Sequence, residues 1–179
     1  MFKNTISYLQ TGRSMQLLWS LFVSLLLLNN GWAQSESSAE RIHWYSMEEA
    51  QQLAAENGKG VLLFTEAEWC TYCKKMERDV FPEQTVIRAL ETHFYPVKLD
   101  IESDAKIVFN GTAMTEADFA EKHELRITPT TVFISEEGEM LISHTGYVPA
   151  VLFSRLLSYI GSGVYSYQSF EKYIMKADF

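Results

Sequence analysis

The most informative segment of the sequence is WCTYC at residues 69–73. It follows a continuous apolar run at residues 60–65, which predicts a strand buried on both faces. Residues 70–80, which begin within this segment, contain neither glycine nor proline and predict a helix. A cysteine at a helix N-terminus faces unpaired backbone N–H groups and the positive end of the helix dipole, which favour the thiolate. We therefore expect Cys70 to be the attacking sulfur, and Cys73, one helical turn further on, to resolve the mixed disulfide that Cys70 forms.

Two other uses of the cysteine pair compete with redox chemistry. A permanent bridge between such close positions would constrain little of the unfolded chain. A metal site needs about four ligands, and we expect none here, because the histidines do not form a His-x₃-His cluster. The alternative to a redox function is therefore a protein that does not catalyse thiol exchange, either a binding module or a metal-binding protein. For a metal site built from cysteine and histidine, the chain offers besides its two cysteines only His43, His93, His123 and His144.

Composition sets the broad class of protein. The chain has 179 residues, room for one ordinary domain, and 47% of them are hydrophobic, enough for a packed core. Its formal net charge is −8, the wrong sign for a protein that must neutralise phosphates. We therefore expect no nucleic-acid partner.

Strands and helices alternate in the first half of the chain. Residues 41–45 have alternating apolar positions and predict a short strand. Residues 46–49 match a capping box, which predicts a helix that ends at Asn57 and Gly58. Pro82 suits the first turn of a further helix, and residues 95–101 alternate as a second strand should. The inner face of the helix after Pro82 is expected to carry Val86, Ile87, Leu90 and Phe94.

The region after residue 101 is expected to begin with a loop. Residues 102–115 are assigned no regular structure, although their centre resembles a turn. A helix is expected to start at Thr115, with Phe119, Ala120 and Leu125 on it. Residues 130–135 and 140–144 are rich in β-forming residues and flank a glycine-containing turn, which predicts an antiparallel hairpin.

The chain is predicted to close with a helix at residues 149–160. Its apolar positions are Leu152, Leu156, Leu157 and Ile160, and the aromatic residues after 163 add a short helix. Alternating strands and helices before a final hairpin indicate the α/β class: a central mixed sheet flanked by helices on both faces, with a short C-terminal helical extension.

The arrangement of two motifs resembles the thioredoxin superfamily. The first motif is WCTYCK at residues 69–74, and the second is RITPT at residues 126–130, directly before the predicted hairpin. The resemblance covers about residues 41–160. It implies the thioredoxin fold, a thiol:disulfide oxidoreductase activity that uses Cys70 and Cys73, and no cofactor.

The second motif carries an expectation about the client site. In the thioredoxin superfamily the proline that matches Pro129 is cis and lies against the active-site disulfide. The residue before it presents its backbone to the partner peptide. The resemblance therefore implies that client proteins with disulfides contact Trp69, Thr71, Tyr72, Thr128 and Pro129.

Two groups within the superfamily are similar to parts of this chain. Residues 73–77 and Phe81 are similar to the C-terminal domain of the membrane thiol:disulfide interchange protein of bacteria. Residues 109–115, 146–147 and 165–173 look more like the periplasmic thioredoxin-like proteins found with sulfur-oxidation systems, often called SoxW. These relatives imply a reductase of client disulfides, recycled by a membrane thiol electron donor.

One departure from the superfamily concerns proton transfer. Typical thioredoxins place an acidic residue six positions before the first cysteine, where it assists proton transfer from the resolving thiol. That position is Phe64 here. Glu77, four residues after Cys73 on the same helical face, is the expected proton shuttle. Glu66 and Glu68 are nearer the motif, but on the turn from strand to helix.

The first forty residues are predicted to direct export. Basic residues precede an apolar run at residues 17–28, and small residues follow it, which is the order of a secretory signal. That run would rise only about 18 Å as a helix, too short for about 30 Å of hydrocarbon. We expect residues 1–33 to be a signal peptide cleaved near Ala33, residues 34–40 a flexible leader, and the protein periplasmic or secreted. Residues 161–179 are expected to be a C-terminal extension packed on the domain.

Overall fold

A computed structural model describes residues 41–176 of the chain. The predicted signal peptide and leader lie outside the described residues. The helices and strands appear in the following order. They are α1 (Met47–Asn57), β1 (Gly60–Glu66), α2 (Thr71–Asp79), α3 (Gln84–His93), β2 (Phe94–Asp100), β3 (Lys106–Phe109), β4 (Thr112–Thr115), α4 (Glu116–Lys122), β5 (Thr130–Ile134), β6 (Met140–Thr145), α5 (Ala150–Gly161), a 3₁₀ turn (Val164–Ser166) and α6 (Phe170–Lys176).

The main sheet is mixed and has the strand order β2-β1-β5-β6. β1 pairs with β2 in parallel and with β5 antiparallel, and β6 pairs antiparallel with β5 at the edge. β1 and β5 are buried along almost their whole length, whereas β6 is mostly exposed. The strand that leads into the WCTYC stretch therefore lies in the interior of the sheet.

Each face of the main sheet has its own hydrophobic core. One core joins Leu62 and Phe64 of β1 to α2, α3 and α5. The other joins Val61 and Leu63 to α1, α4 and the β3–β4 hairpin. The alternation along β1 reflects the two-residue period of a strand. This arrangement confirms the predicted class, a mixed sheet covered by helices on both faces.

Residues 41–45 do not form the predicted strand. The segment is attached to β2 where the Tyr45 N–H donates to the carbonyl of Pro96 at 2.9 Å. Proline has no N–H with which to continue a ladder, so the pairing does not extend along β2. Ile42 and Trp44 still pack against the first core, which explains their alternation in the sequence.

The helix expected to begin at Pro82 begins instead at Gln84. Residues 80–82 form a turn, closed where the Glu83 N–H donates to the carbonyl of Val80 at 3.1 Å, and the helix starts after it. Phe94 is buried as predicted, but it is the first residue of β2 and not the end of the helix. The other three inner-face residues are buried as predicted, namely Val86, Ile87 and Leu90.

The expectation of an irregular loop at residues 102–115 is wrong. β3 and β4 form a hairpin whose register pairs Lys106 with Thr115. Asn110 and Gly111 form its turn with φ of 48° and 75°, and positive φ at both central positions is typical of a type I′ turn. The side-chain oxygen of Gln51 on α1 also accepts from the Asn110 N–H at 2.9 Å. The Asn-Gly pair was the sequence signal for this hairpin.

The C-terminal helices agree with the prediction except at one position. Leu157 and Ile160 of α5 are buried and Leu156 is partly buried, but Leu152 is 39% exposed, because the adjacent Phe153 occupies the core. The predicted short helix is α6. Its rings contact α5, where the Tyr159 ring lies 5.1 Å from that of Phe170. Within residues 41–176, no helix has the length and apolar character needed to span a membrane.

A glycine at the start of β1 provides the first test of the packing. A Cβ at Gly60 would lie 2.7 Å from the backbone oxygen of Ile134 and 2.9 Å from the Phe94 ring. Because the Ile134 atom belongs to a paired strand, we expect Gly60→Ala to lower the free energy of unfolding by about 1–3 kcal/mol in urea titrations. Ser143→Ala on the exposed edge strand should change it by less than about 0.5 kcal/mol. Equal effects of the two substitutions would contradict this packing.

Candidate active site

The two cysteines form a disulfide at the N-terminus of α2. Cys70 is the N-cap of the helix, and its Sγ accepts a hydrogen bond from the Cys73 N–H at 3.1 Å. The Cα atoms of the two residues are 5.3 Å apart. The Cys70 sulfur thus occupies the position where a cap acceptor meets the unpaired amides and positive dipole of a helix. In the reduced protein, this position would stabilise a thiolate on Cys70.

Solvent exposure does not distinguish the two cysteines in the oxidised protein. Cys70 is 3% exposed and Cys73 is 2% exposed. What differs is their place on the helix, because Cys70 caps it and Cys73 lies inside its first turn. The exposed surface next to the disulfide comes from its aromatic neighbours, since Trp69 and Tyr72 are each 60% exposed.

The Thr128–Pro129 segment is held beside the carboxyl end of β1. The Thr128–Pro129 peptide bond is cis, and Pro129 is buried. The Thr65 side-chain oxygen accepts from the Thr130 N–H at 3.0 Å and lies 3.2 Å from the Thr130 carbonyl, to which it can donate. The carbonyl of Thr65 lies 3.9 Å from the Cys73 sulfur. One buried threonine therefore connects the two motifs, and the sequence analysis did not identify it.

Other side chains border the site, among them Ile127, which the sequence analysis did not assign to it. Ile127, directly before the Thr128–Pro129 bond, is 64% exposed. The Tyr147 ring lies 6.3 Å from the Tyr72 ring, and the Lys75 ammonium lies 4.4 Å from the centre of the same Tyr147 ring. The Thr128 Oγ1 atom is buried without a hydrogen-bond partner. Ile127 had no sequence signal beyond its place beside the proline.

A small cavity of about 210 Å³ reaches Cys73 from the side of the carboxylates. Glu77, the predicted proton shuttle, lines it, and its carboxylate pairs with the Lys98 ammonium. Lys98 also lies 3.7 Å from the carboxylate of Glu66. Burial raises the pKa of the Glu66 carboxyl above its usual value. The lining residues are Glu66, Ala67, Glu68, Cys73, Lys74, Glu77 and Asp100.

A disulfide that caps the helix after a central sheet strand, with a cis-proline segment beside that strand, is the redox centre of thioredoxin-fold thiol:disulfide oxidoreductases. This chain is of that class. Residues 47–161 match the family described as the thioredoxin-like domain, and the chain belongs to that family. The superfamily resemblance seen in the sequence is thereby confirmed.

A curated relative with a similar sequence agrees with this class. The chain is 31% identical over 108 residues to the thiol:disulfide interchange protein DsbD of Pseudoalteromonas atlantica. That match covers 58% of this chain and 17% of the relative, so the chain corresponds to a small part of that protein.

Solved structures support the same fold. A thioredoxin from Thermus thermophilus aligns with a TM-score of 0.55 and 26% identity, over 68% of this chain and 87% of its own. A putative disulphide-isomerase from Bacteroides thetaiotaomicron aligns with a TM-score of 0.54 and 25% identity, over 74% of this chain and 100% of its own. A thioredoxin-fold protein from Helicobacter pylori aligns with a TM-score of 0.57 and 22% identity, over 68% of this chain and 80% of its own.

Proposed function

We propose that this chain is an exported thiol:disulfide oxidoreductase that reduces disulfides of client proteins through Cys70 and Cys73. The observation that carries the proposal is the contact of the Cys70 sulfur with the Cys73 N–H at 3.1 Å, at the start of α2. A sulfur in this position is the better leaving group and the better thiolate of the pair. Cys70 is accordingly the sulfur that exchanges with clients.

The proposed reaction takes place in two exchanges. The Cys70 thiolate attacks one sulfur of a client disulfide, forms a mixed disulfide and releases the other client sulfur as a thiolate. Cys73 then loses its proton, attacks Cys70 and releases the second client sulfur. The client gains two electrons, and the Cys70–Cys73 pair loses them as its disulfide forms.

The proposed client surface surrounds the disulfide. Trp69 and Tyr72 supply exposed aromatic area, and Thr71 lies between Tyr72 and the capping cysteine. The Thr128–Pro129 segment would hold an extended client backbone by short β-type pairing, because it leads directly into β5. A client chain lying there would place its disulfide against Cys70.

Export and the reducing direction are parts of the same proposal. The signal-like order of residues 1–33 and the named interchange-protein relative support a periplasmic or secreted site of action. An exported compartment is oxidising, so a reductase there needs an electron donor on the membrane to return electrons to its disulfide. We propose a membrane protein with a reactive thiol as that donor.

The direction can be tested by equilibrating the protein with reduced and oxidised glutathione. We expect a reduction potential near that of thioredoxin, about −270 mV, because reductive members of the class have low potentials. Alkylation and mass measurement of the two redox forms would give the equilibrium constant. A value near that of strong oxidants, about −120 mV, would contradict the reducing direction.

A further inference from the structure

The cavity at Cys73 lies on the sheet face where a thioredoxin would carry its buried acid. Phe64 occupies that position and is fully buried in the core that contains Cys70 and Cys73. Side chains two positions apart on a strand point to the same face, so Glu66 lies on the Cys73 side of β1, about 6.8 Å further along the strand. Glu66 and Cys73 line the same cavity. Glu66 therefore places a carboxylate on the same face of β1 as Phe64, two residues further along the strand.

The surroundings of Glu66 are a network of charged groups. Lys98 on β2 lies 3.7 Å from the Glu66 carboxylate and is positioned by the Trp44 ring, 5.1 Å from its ammonium. Asp100 is the cross-strand partner of Glu66. Burial raises the pKa of the Glu66 carboxyl, Lys98 counteracts that rise, and the charges of Glu77 and Asp100 add to it. The other charged groups facing the cavity are Lys74 on α2 and Glu68 on the turn after β1.

We propose that Glu66, rather than Glu77, accepts the proton of the Cys73 thiol when Cys73 resolves the mixed disulfide. This inference rests on the proposed function, because it assigns a role within the same reaction. The Glu77 carboxylate pairs directly with the Lys98 ammonium, and its side chain is 41% exposed, against 27% for Glu66. Glu66 is therefore the more buried of the two carboxylates and shares Lys98 at a longer distance.

The step balances in protons and electrons. Cys73 Sγ–H transfers its proton to the Glu66 carboxylate, and the resulting thiolate attacks Cys70. The Cys70–client bond breaks, and the client sulfur leaves as a thiolate. Glu66 then releases the proton through the open cavity to water or to the leaving thiolate. Lys98 keeps the carboxylate oriented and offsets its charge between turnovers.

The test measures the resolving step directly, with oxidised glutathione as the disulfide. Reduced protein is mixed with oxidised glutathione, quenched in acid at successive times, and the Cys70–glutathione mixed disulfide is quantified by mass spectrometry. In Glu66→Gln we expect resolution to slow by about 10²-fold at pH 7, the lower end of general-base effects, so the mixed disulfide accumulates. Glu66→Asp retains a carboxylate and should recover most of the rate.

The pH profile separates proton transfer from a structural effect. Wild-type resolution should decline as pH falls through the raised pKa of Glu66 and level off above it. In Glu66→Gln the rate should instead rise about tenfold per pH unit below the thiol pKa, because only the ionised Cys73 then reacts. A merely structural role of Glu66 would lower the rate without changing this profile.

Two matched variants make the outcome decisive. Glu68→Gln removes an exposed carboxylate from the same cavity and should keep the wild-type rate and profile. If Glu77→Gln slows resolution and Glu66→Gln does not, the proposal is wrong and Glu77 is the acceptor. Unchanged kinetics in Glu66→Gln would also overturn it. If oxidised glutathione does not convert the reduced wild-type protein to its Cys70–Cys73 disulfide, the proposed function itself fails.

Discussion

Replacing Cys73 by alanine is expected to convert the protein into a trap for its clients. Cys70 remains at the helix N-terminus, so it still attacks client disulfides, but no neighbouring thiol then resolves the mixed disulfide. Resolution by an external thiol lacks the proximity of a residue in the same helical turn, so turnover should fall about 10³-fold or more. Disulfide-linked complexes should accumulate, and these would identify the clients.

The trap experiment also separates catalysis from mere binding. Complexes should be visible as reductant-sensitive bands on non-reducing gels when Cys73→Ala is expressed with its own N-terminal region in the native compartment. The double variant Cys70→Ser, Cys73→Ala is the matched control and should form none. A non-catalytic binding module would give no covalent complexes from Cys73→Ala, and that result would refute the proposed reaction through Cys70.

Placing an acid at the usual thioredoxin position is expected to destabilise this protein strongly. Phe64 is fully buried, and its ring lies 4.9 Å from that of Phe81 and 6.4 Å from that of Trp44. Phe64→Asp removes this packing and buries a carboxyl group among aromatic rings, so the free energy of unfolding should fall by about 4 kcal/mol or more. Because domains of this size are only marginally stable, we expect a measurable fraction of the variant to be unfolded without denaturant.

The measurement for Phe64→Asp is urea unfolding followed by tryptophan fluorescence. Phe64→Leu keeps the site apolar and should cost about 1 kcal/mol, which separates the loss of the ring from burial of the acid. If Phe64→Asp is as stable as Phe64→Leu, the core beneath the disulfide tolerates a carboxyl group. Core packing would then give no reason for the carboxylate to lie at Glu66 instead of at position 64.

Local sequence patterns predicted the elements wherever local interactions decide the structure. The apolar run of β1, the helix after Cys70 and the final hairpin are confirmed because burial period, capping and turn residues act over a few positions. The errors at residues 41–45 and 102–115 have particular causes. The first segment has Pro96 as its partner on β2, which cannot continue a ladder, and the second contains an Asn-Gly pair that forms a tight hairpin turn.

The chemistry of this protein follows from local sequence, because the position of a cysteine at the start of a helix after a buried strand favours its thiolate. The groups that surround the two cysteines are set by tertiary contacts. Thr65 meets Thr130 across the sheet, and Glu66, Lys98 and Glu77 meet beside Cys73, although they come from three separate elements. Strand pairing and helix packing bring such residues together over distances that no local pattern records.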